Sequence, residues 1–208
     1  MKIGLIGGSF DPVHDGHLLL AERCREECQL DEVRFVPAAT APHKQAGGRA
    51  TGEHRMQMLK LATSGHAAMV PWDVELQRGG ISFTVDTIRE LRHECPQDEL
   101  YFLVGADTLH DLPNWREPTE ICELATIVAV HRPGSPNADL SVLNRVTSQT
   151  RIERFAQHIV QMPQLDLSST EIRNRVATDR SIRFQLPRAV EQFIIENGLY
   201  HEEKNATH

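Results

Sequence analysis

At 208 residues the chain is long enough for one domain with a substantial core and too short for two ordinary ones. No apolar run reaches the roughly 18 residues of a membrane span, and the first residues lack the small-residue cleavage site of a signal peptide. The formal net charge of −7 argues against a broad nucleic-acid surface, although a few local cations suffice to hold one nucleotide. Along the chain, short apolar runs alternate with helical patterns, which predicts an α/β fold with a mostly parallel sheet. Strands are expected at residues 2–7, 32–37, 68–75, 100–104, 126–130 and 158–162. Helices are expected from Gly16 to just before Asp31, over 52–63 with Met56, Leu59 and Ala62 facing inward, and over 84–93 with Ile88 and Leu91 inward. Residues 38–50 carry Pro42, Gly47 and Gly48 without any period, so they read as a loop of a length often used for binding. In the stretch 135–157 only a short helix around Leu140, Leu143 and Val146 can be placed.

Two helix starts near the end are well specified. Leu167-Ser168-Ser169-Thr170-Glu171-Ile172 contains a capping box, Ser168 with Glu171, and a staple between Leu167 and Ile172. The last helix has Pro187 in its first turn, apolar Val190, Phe193 and Ile194, and Gly198 as its stop. A single domain over 1–200 with a frayed polar tail at 201–208 is the expected organisation. The sequon Asn205-Ala206-Thr207 falls in that tail and reads as chance. Cys24, Cys28, Cys95 and Cys122 form no CxxC pair and read as reduced thiols of a cytoplasmic protein.

The densest chemistry follows the first strand, in Gly7-Gly8-Ser9-Phe10-Asp11-Pro12-Val13-His14-Asp15-Gly16-His17. Glycines let backbone N–H groups approach an anion, and a helix start adds unpaired donors and a positive dipole end. His14 and His17 are three apart, hence on one face of the helix, and can address the same group. The glycine spacing does not fit GxGxxG, and no Gly-Lys-Ser/Thr opens the helix, so both common phosphate motifs are excluded. A histidine pair at this spacing also suits a metal, but no third ligand cluster accompanies it. Taken singly, the capping box, His43-Lys44, Trp115 and Asp107 read as an ordinary helix start, a solvated loop, a core or surface aromatic and a helix cap.

Together the motifs resemble a known family. His14-Asp15-Gly16-His17 is similar to the HxGH signature of the nucleotidyltransferases. With the residues before it, the segment resembles the Gly-Gly-(Ser/Thr)-Phe-Asp-Pro-x-His-x-Gly-His start of bacterial nicotinate mononucleotide adenylyltransferases. The further landmarks follow in order. Ala41-Pro42-His43-Lys44 is similar to the Pro-Pro-His-Lys loop, departing in the first proline. Ser82-Phe83-Thr84 with Asp86-Thr87, Gly105-Ala106-Asp107, Trp115, Arg132-Pro133-Gly134, Ser168–Arg173 and Asn197-Gly198-Leu199-Tyr200 complete the match.

The resemblance implies a Rossmann-like three-layer sandwich of the nucleotidyltransferase type, with the site at the carboxyl ends of the strands. It implies ATP-dependent adenylyl transfer to nicotinate mononucleotide in NAD biosynthesis. His14, His17, Lys44 and Arg173 would act on the phosphates. Gly7, Gly8, Ser9, Phe10, Gly105, Asp107, Ser168, Ser169 and Thr170 would bind ATP, Asp107 through a ribose hydroxyl. Ser82, Thr84, Thr87 and Trp115 would hold the mononucleotide, with Trp115 stacked on the pyridine ring, and Arg132 would assist. Mg²⁺ would sit on phosphate oxygens, with no ligand from a protein side chain. The expected partners are small molecules only, neither nucleic acid nor membrane, with self-association left open. A nicotinamide mononucleotide or phosphopantetheine acceptor, or a nucleotide-binding regulator without turnover, are the competing readings.

Overall fold

The computed structural model describes residues 1–40, 50–132, 134 and 137–201. Its sheet is formed by β1 (Lys2–Gly8), β2 (Glu32–Pro37), β3 (Met69–Pro71), β4 (Glu99–Gly105), β5 (Thr126–His131) and β6 (Ile159–Gln161). The strands are ordered β3-β2-β1-β4-β5-β6 and every neighbouring pair is parallel. Strands covered on both faces read as unbroken apolar runs, and Ile127 to Val130 of β5 are all fully buried.

The helices are α1 (Asp15–Glu27), α2 (Gly52–Thr63), α3 (Val74–Arg78), α4 (Thr84–Glu94), α5 (Ala106–Leu109), α6 (Pro118–Leu124), α7 (Gln149–Ala156), α8 (Ser169–Ala177) and α9 (Arg188–Glu196). They divide between the two faces. Leu20, Met58, Ile172 and Ile194 carry α1, α2, α8 and α9 into one core cluster. Ile88, Ile121 and Phe155 carry α4, α6 and α7 into the other. The result is a three-layer Rossmann-like sandwich. The chain winds outward from β1 to β3, then returns to lay β4 on the other side of β1. The crevice at the carboxyl ends of β1 and β4 is where such sheets bind ligands.

Three expectations are corrected. The strand expected over 68–75 ends at Pro71, and α3 follows it. Pro71 is tolerated because β3 is an edge strand, where a missing N–H leaves no ladder partner wanting. Asp73 then starts the helix, accepting Gln77 N–H on its carbonyl at 2.9 Å and Gln77 Nε2 on its carboxylate at 2.7 Å. On α2 the buried residues are Arg55, Met58, Leu59 and Thr63, while Met56 and Ala62 are half-buried. The helix is turned because the Arg55 guanidinium points inward to two backbone carbonyls. Within 135–157 Leu140 and Leu143 lie in a 3-10 helix, Leu140–Arg145, that Val146 ends, and α7, absent from the expected elements, follows. Ser148 caps α7 by accepting the Arg151 N–H, at 3.4 Å.

Candidate active site

The loop between β1 and α1 carries the histidine pair. His14 is the extended N-cap of α1, and its backbone N–H donates to Nδ1 of His17 at 3.3 Å. An accepting Nδ1 carries no proton, so the His17 imidazole holds its proton on Nε2. The two rings lie 3.8 Å apart between centroids, tilted by 30°. A Cβ on Gly16 would stand 3.0 Å from His14 Nδ1, so the glycine leaves room for that ring above the first turn. His14 is buried, and its Nδ1 has no hydrogen-bond partner among the described residues. Burial, and to a smaller extent the charge of Arg132, push its pKa down to about 4. The neutral ring lines the cleft beside His17, where a nitrogen that bears the proton can donate to an anion.

The amino end of α8 faces this pair. Ser168 caps it, its Oγ accepting from Glu171 N–H at 3.1 Å. Ser169 Oγ donates to the carbonyl of Pro12 at 2.9 Å. Arg173 donates through Nη1 to the carbonyl of Asp11 at 2.7 Å and through Nη2 to Thr170 Oγ1 at 3.3 Å. Between α1 and α8 lies a cleft of about 300 Å³, whose walls include Ser9, His14, His17, Arg132, Ser168, Ser169, Thr170 and Arg173. Helix dipoles, hydroxyls and guanidinium groups thus point into one space from distant parts of the chain.

A second cavity of about 310 Å³ is walled by Ser82, Phe83, Thr84, Asn114, Trp115, Arg116 and Ile121. Trp115 is braced edge-on by Phe102, with ring centroids 6.1 Å apart, and Arg116 lies 4.8 Å from the Phe83 ring centre. Ser82 Oγ accepts from Ala39 N–H at 2.9 Å, tying the loop after β2 to the start of α4. This wall offers an aromatic plate beside a helix start, a fit for a flat ring bearing an anion.

The remaining candidates are distributed as follows. Thr87 is not brought into the second cavity: it is fully buried, its hydroxyl donating to Glu75 Oε1 and accepting from Arg78 Nη2. Phe10 lies beneath the first cleft, its ring meeting His17 edge-on with centroids 5.0 Å apart. Gly7 and Gly8 end β1, and a Cβ on Gly8 would press on the Phe10 ring at 3.1 Å. Gly105 and Asp107 sit at the carboxyl end of β4 and line neither cavity. A Cβ at Gly105 would meet Asp107 Oδ1 at 2.5 Å, so glycine there lets the carboxylate fold back over the strand end. Lys44 and its Ala41-Pro42-His43 neighbours lie outside the described residues.

Residues 5–175 match the cytidylyltransferase-like family. The chain is 43% identical over 198 residues to the "probable nicotinate-nucleotide adenylyltransferase" of Rhodopirellula baltica, covering 95% of this chain and 92% of the relative. It is 44% identical over 202 residues to a protein of the same description from Thermus thermophilus, covering 96% and 100%.

The chain belongs to the nicotinate-nucleotide adenylyltransferase family.

Among solved structures, a Plasmodium falciparum nicotinic acid mononucleotide adenylyltransferase complexed with NaAD superposes with a TM-score of 0.75. It is 20% identical in sequence, covers 96% of this chain and 97% of its own, and supports the fold alone. In this member of the adenylyltransferase family, Asp11 and Tyr200 belong to the first and last of the family's motifs, yet their roles are not legible in the sequence. Asp11 is buried; its Oδ1 accepts from Tyr200 O–H at 2.7 Å and from Ala50 N–H at 3.1 Å, while its carbonyl accepts from Arg173. Burial and the neighbouring carboxylate hold the Tyr200 proton firmly in place. Asn114, Arg116 and the Met162–Leu167 segment of the cleft wall were also missed, for want of any local pattern.

Proposed function

We propose that the chain carries out the reaction of its family, ATP-dependent adenylyl transfer to nicotinate mononucleotide, across these two cavities. The triphosphate lies in the α1–α8 cleft and the pyridine ring against Trp115. A phosphate oxygen of the mononucleotide forms the new bond to the α-phosphorus of ATP. The bond to the β-phosphate oxygen breaks, and its electron pair leaves with pyrophosphate. Both reactants are anions, so the obstacles are charge repulsion and alignment, and no covalent nucleophile is required. In this reading His17 donates from Nε2 to the α-phosphate and His14 meets the neighbouring phosphates. Arg173, Arg132, Lys44 and the start of α8 take the charge that builds on the departing pyrophosphate. Gly105 and Asp107 address the ATP ribose, while Ser82 and Thr84 address the nicotinate carboxylate through the start of α4.

Among the described residues no group of three His, Cys, Asp or Glu side chains could hold a metal. The first cleft presents mainly cations, imidazoles and hydroxyls, a donor set unsuited to a resident Mg²⁺, which prefers carboxylate and water oxygens. Mg²⁺, in this proposal, arrives on the phosphates of ATP. No described helix is long and apolar enough to cross a membrane, and all four cysteines are free. We place the protein in the cytoplasm as one domain over residues 1–200.

The observation that carries the reading is the convergence of the His14–His17 pair and Arg173 on one cleft. The test is turnover of the full chain with ATP, Mg²⁺ and, in turn, nicotinate mononucleotide, nicotinamide mononucleotide and phosphopantetheine. Nicotinate adenine dinucleotide and pyrophosphate should form in equal amounts, fastest from the acid. Faster turnover of another acceptor would reassign the substrate, and nucleotide binding without any turnover would leave a regulator.

A further inference from the structure

Arg55 is a charged residue in the interior, 7% exposed, and lines neither cavity. Its guanidinium donates through Nη1 to the carbonyl of Ser9 at 2.9 Å and through Nη2 to the carbonyl of Ala38 at 2.7 Å. Ser9 follows β1 and Ala38 follows β2, so one planar fork ties together the carboxyl ends of adjacent strands. Two further carbonyls of the same loop are held by side chains: that of Asp11 by Arg173 and that of Pro12 by Ser169. A carbonyl oxygen aimed at a bound polyphosphate would repel it. A trans peptide unit carries its C=O and the next N–H antiparallel, so turning a carbonyl away presents an N–H on the opposite side.

The residue after Ser9 is Phe10, whose φ of 45° is in the left-handed region that an aromatic side chain seldom adopts. Its ring is the one that supports His17. The orientation of the Ser9–Phe10 peptide, at a residue that lines the cleft, therefore governs where the Phe10 N–H points and the platform under the imidazole. We propose that Arg55 is a positioning residue for adenylyl transfer: holding the Ser9 carbonyl, it fixes that peptide and, through Phe10, the His17 imidazole. The proposal rests on the reading that the triphosphate lies in the α1–α8 cleft.

The test compares the full-length wild type with Arg55→Lys and Arg55→Met, each checked for folding by circular dichroism and thermal melting. Wild-type turnover is measured first; its absence would sink the functional reading itself and not this inference. Lysine keeps the charge but lacks the planar fork that fixes two carbonyls in direction, so both folded variants should lose about 10- to 100-fold in kcat, as a misaligned reacting group does. Affinity for inorganic pyrophosphate should fall alongside, while KM for nicotinate mononucleotide stays within about twofold. A folded variant with wild-type kcat, or an equal loss of affinity for both ligands, would overturn the proposal. Should neither variant fold, a structure of the wild type with pyrophosphate decides: the Arg55–Ser9 bond must persist with the anion bound, and its loss counts against the idea.

Discussion

His14 is held neutral by its surroundings, and that has a cost in stability with a definite sign. Its pKa is about 4 in the folded chain, against 6.5 in the unfolded one. Between these values the unfolded state takes up a proton that the native state refuses, so stability falls as the pH drops from 6.5 towards 4. At pH 5 this amounts to about 2 kcal/mol relative to pH 7. Replacing His14 by Gln should flatten that part of the profile, and denaturant unfolding at the two pH values measures the difference between variant and wild type. Bound pyrophosphate reverses the electrostatics by adding negative charge beside the ring. Saturating pyrophosphate should therefore move the imidazole titration upward, as followed by NMR; an unmoved titration would place the anion elsewhere.

At the level of elements, α8 joins the two ends of the chain through its first turn. Ser168→Ala removes the Oγ that accepts from Glu171 N–H. Loss of such a cap costs about 1 kcal/mol, and it loosens the turn that carries Thr170 and Arg173. Thermal melting should register the first effect and weaker pyrophosphate binding the second; full affinity at reduced stability would mean that the turn only caps. The same helix shows what local sequence conveys. Its start was legible because a serine cap and an apolar face are both local signals, and the doubly buried strands were legible as unbroken apolar runs. The β3–α3 junction was not. Val70, Pro71 and Trp72 look like strand continuation, and only Asp73 accepting from Gln77 turns the chain into a helix. Arg55 carried no legible role either. A charge at that position of α2 reads as solvent-facing until the carbonyls of Ser9 and Ala38 are known to lie beneath it.

For the whole molecule, the informative contact is the one between its ends. Tyr200 reaches back from beyond α9 to Asp11, and the same aspartate presents its carbonyl to Arg173. No window of sequence contains that relation, which arises because α9 packs over α2 and brings the last residues to the β1 loop. Val190 and Ile194 of α9 share a core cluster with Met58 and Leu59 of α2. The cleft was readable from motifs as an inventory of residues; its assembly depends on this closure. Tyr200→Phe keeps the ring and deletes one donor to a buried carboxylate. It should cost about 1–3 kcal/mol in stability, the range for a buried polar group left underpartnered. Because Asp11 also anchors Arg173, affinity for pyrophosphate should fall in the same variant while affinity for nicotinate mononucleotide stays as before. Calorimetric titration with each ligand separates the two. If pyrophosphate affinity is untouched in a destabilised but folded Tyr200→Phe protein, the end-to-end contact secures the fold alone and leaves Arg173 where it was.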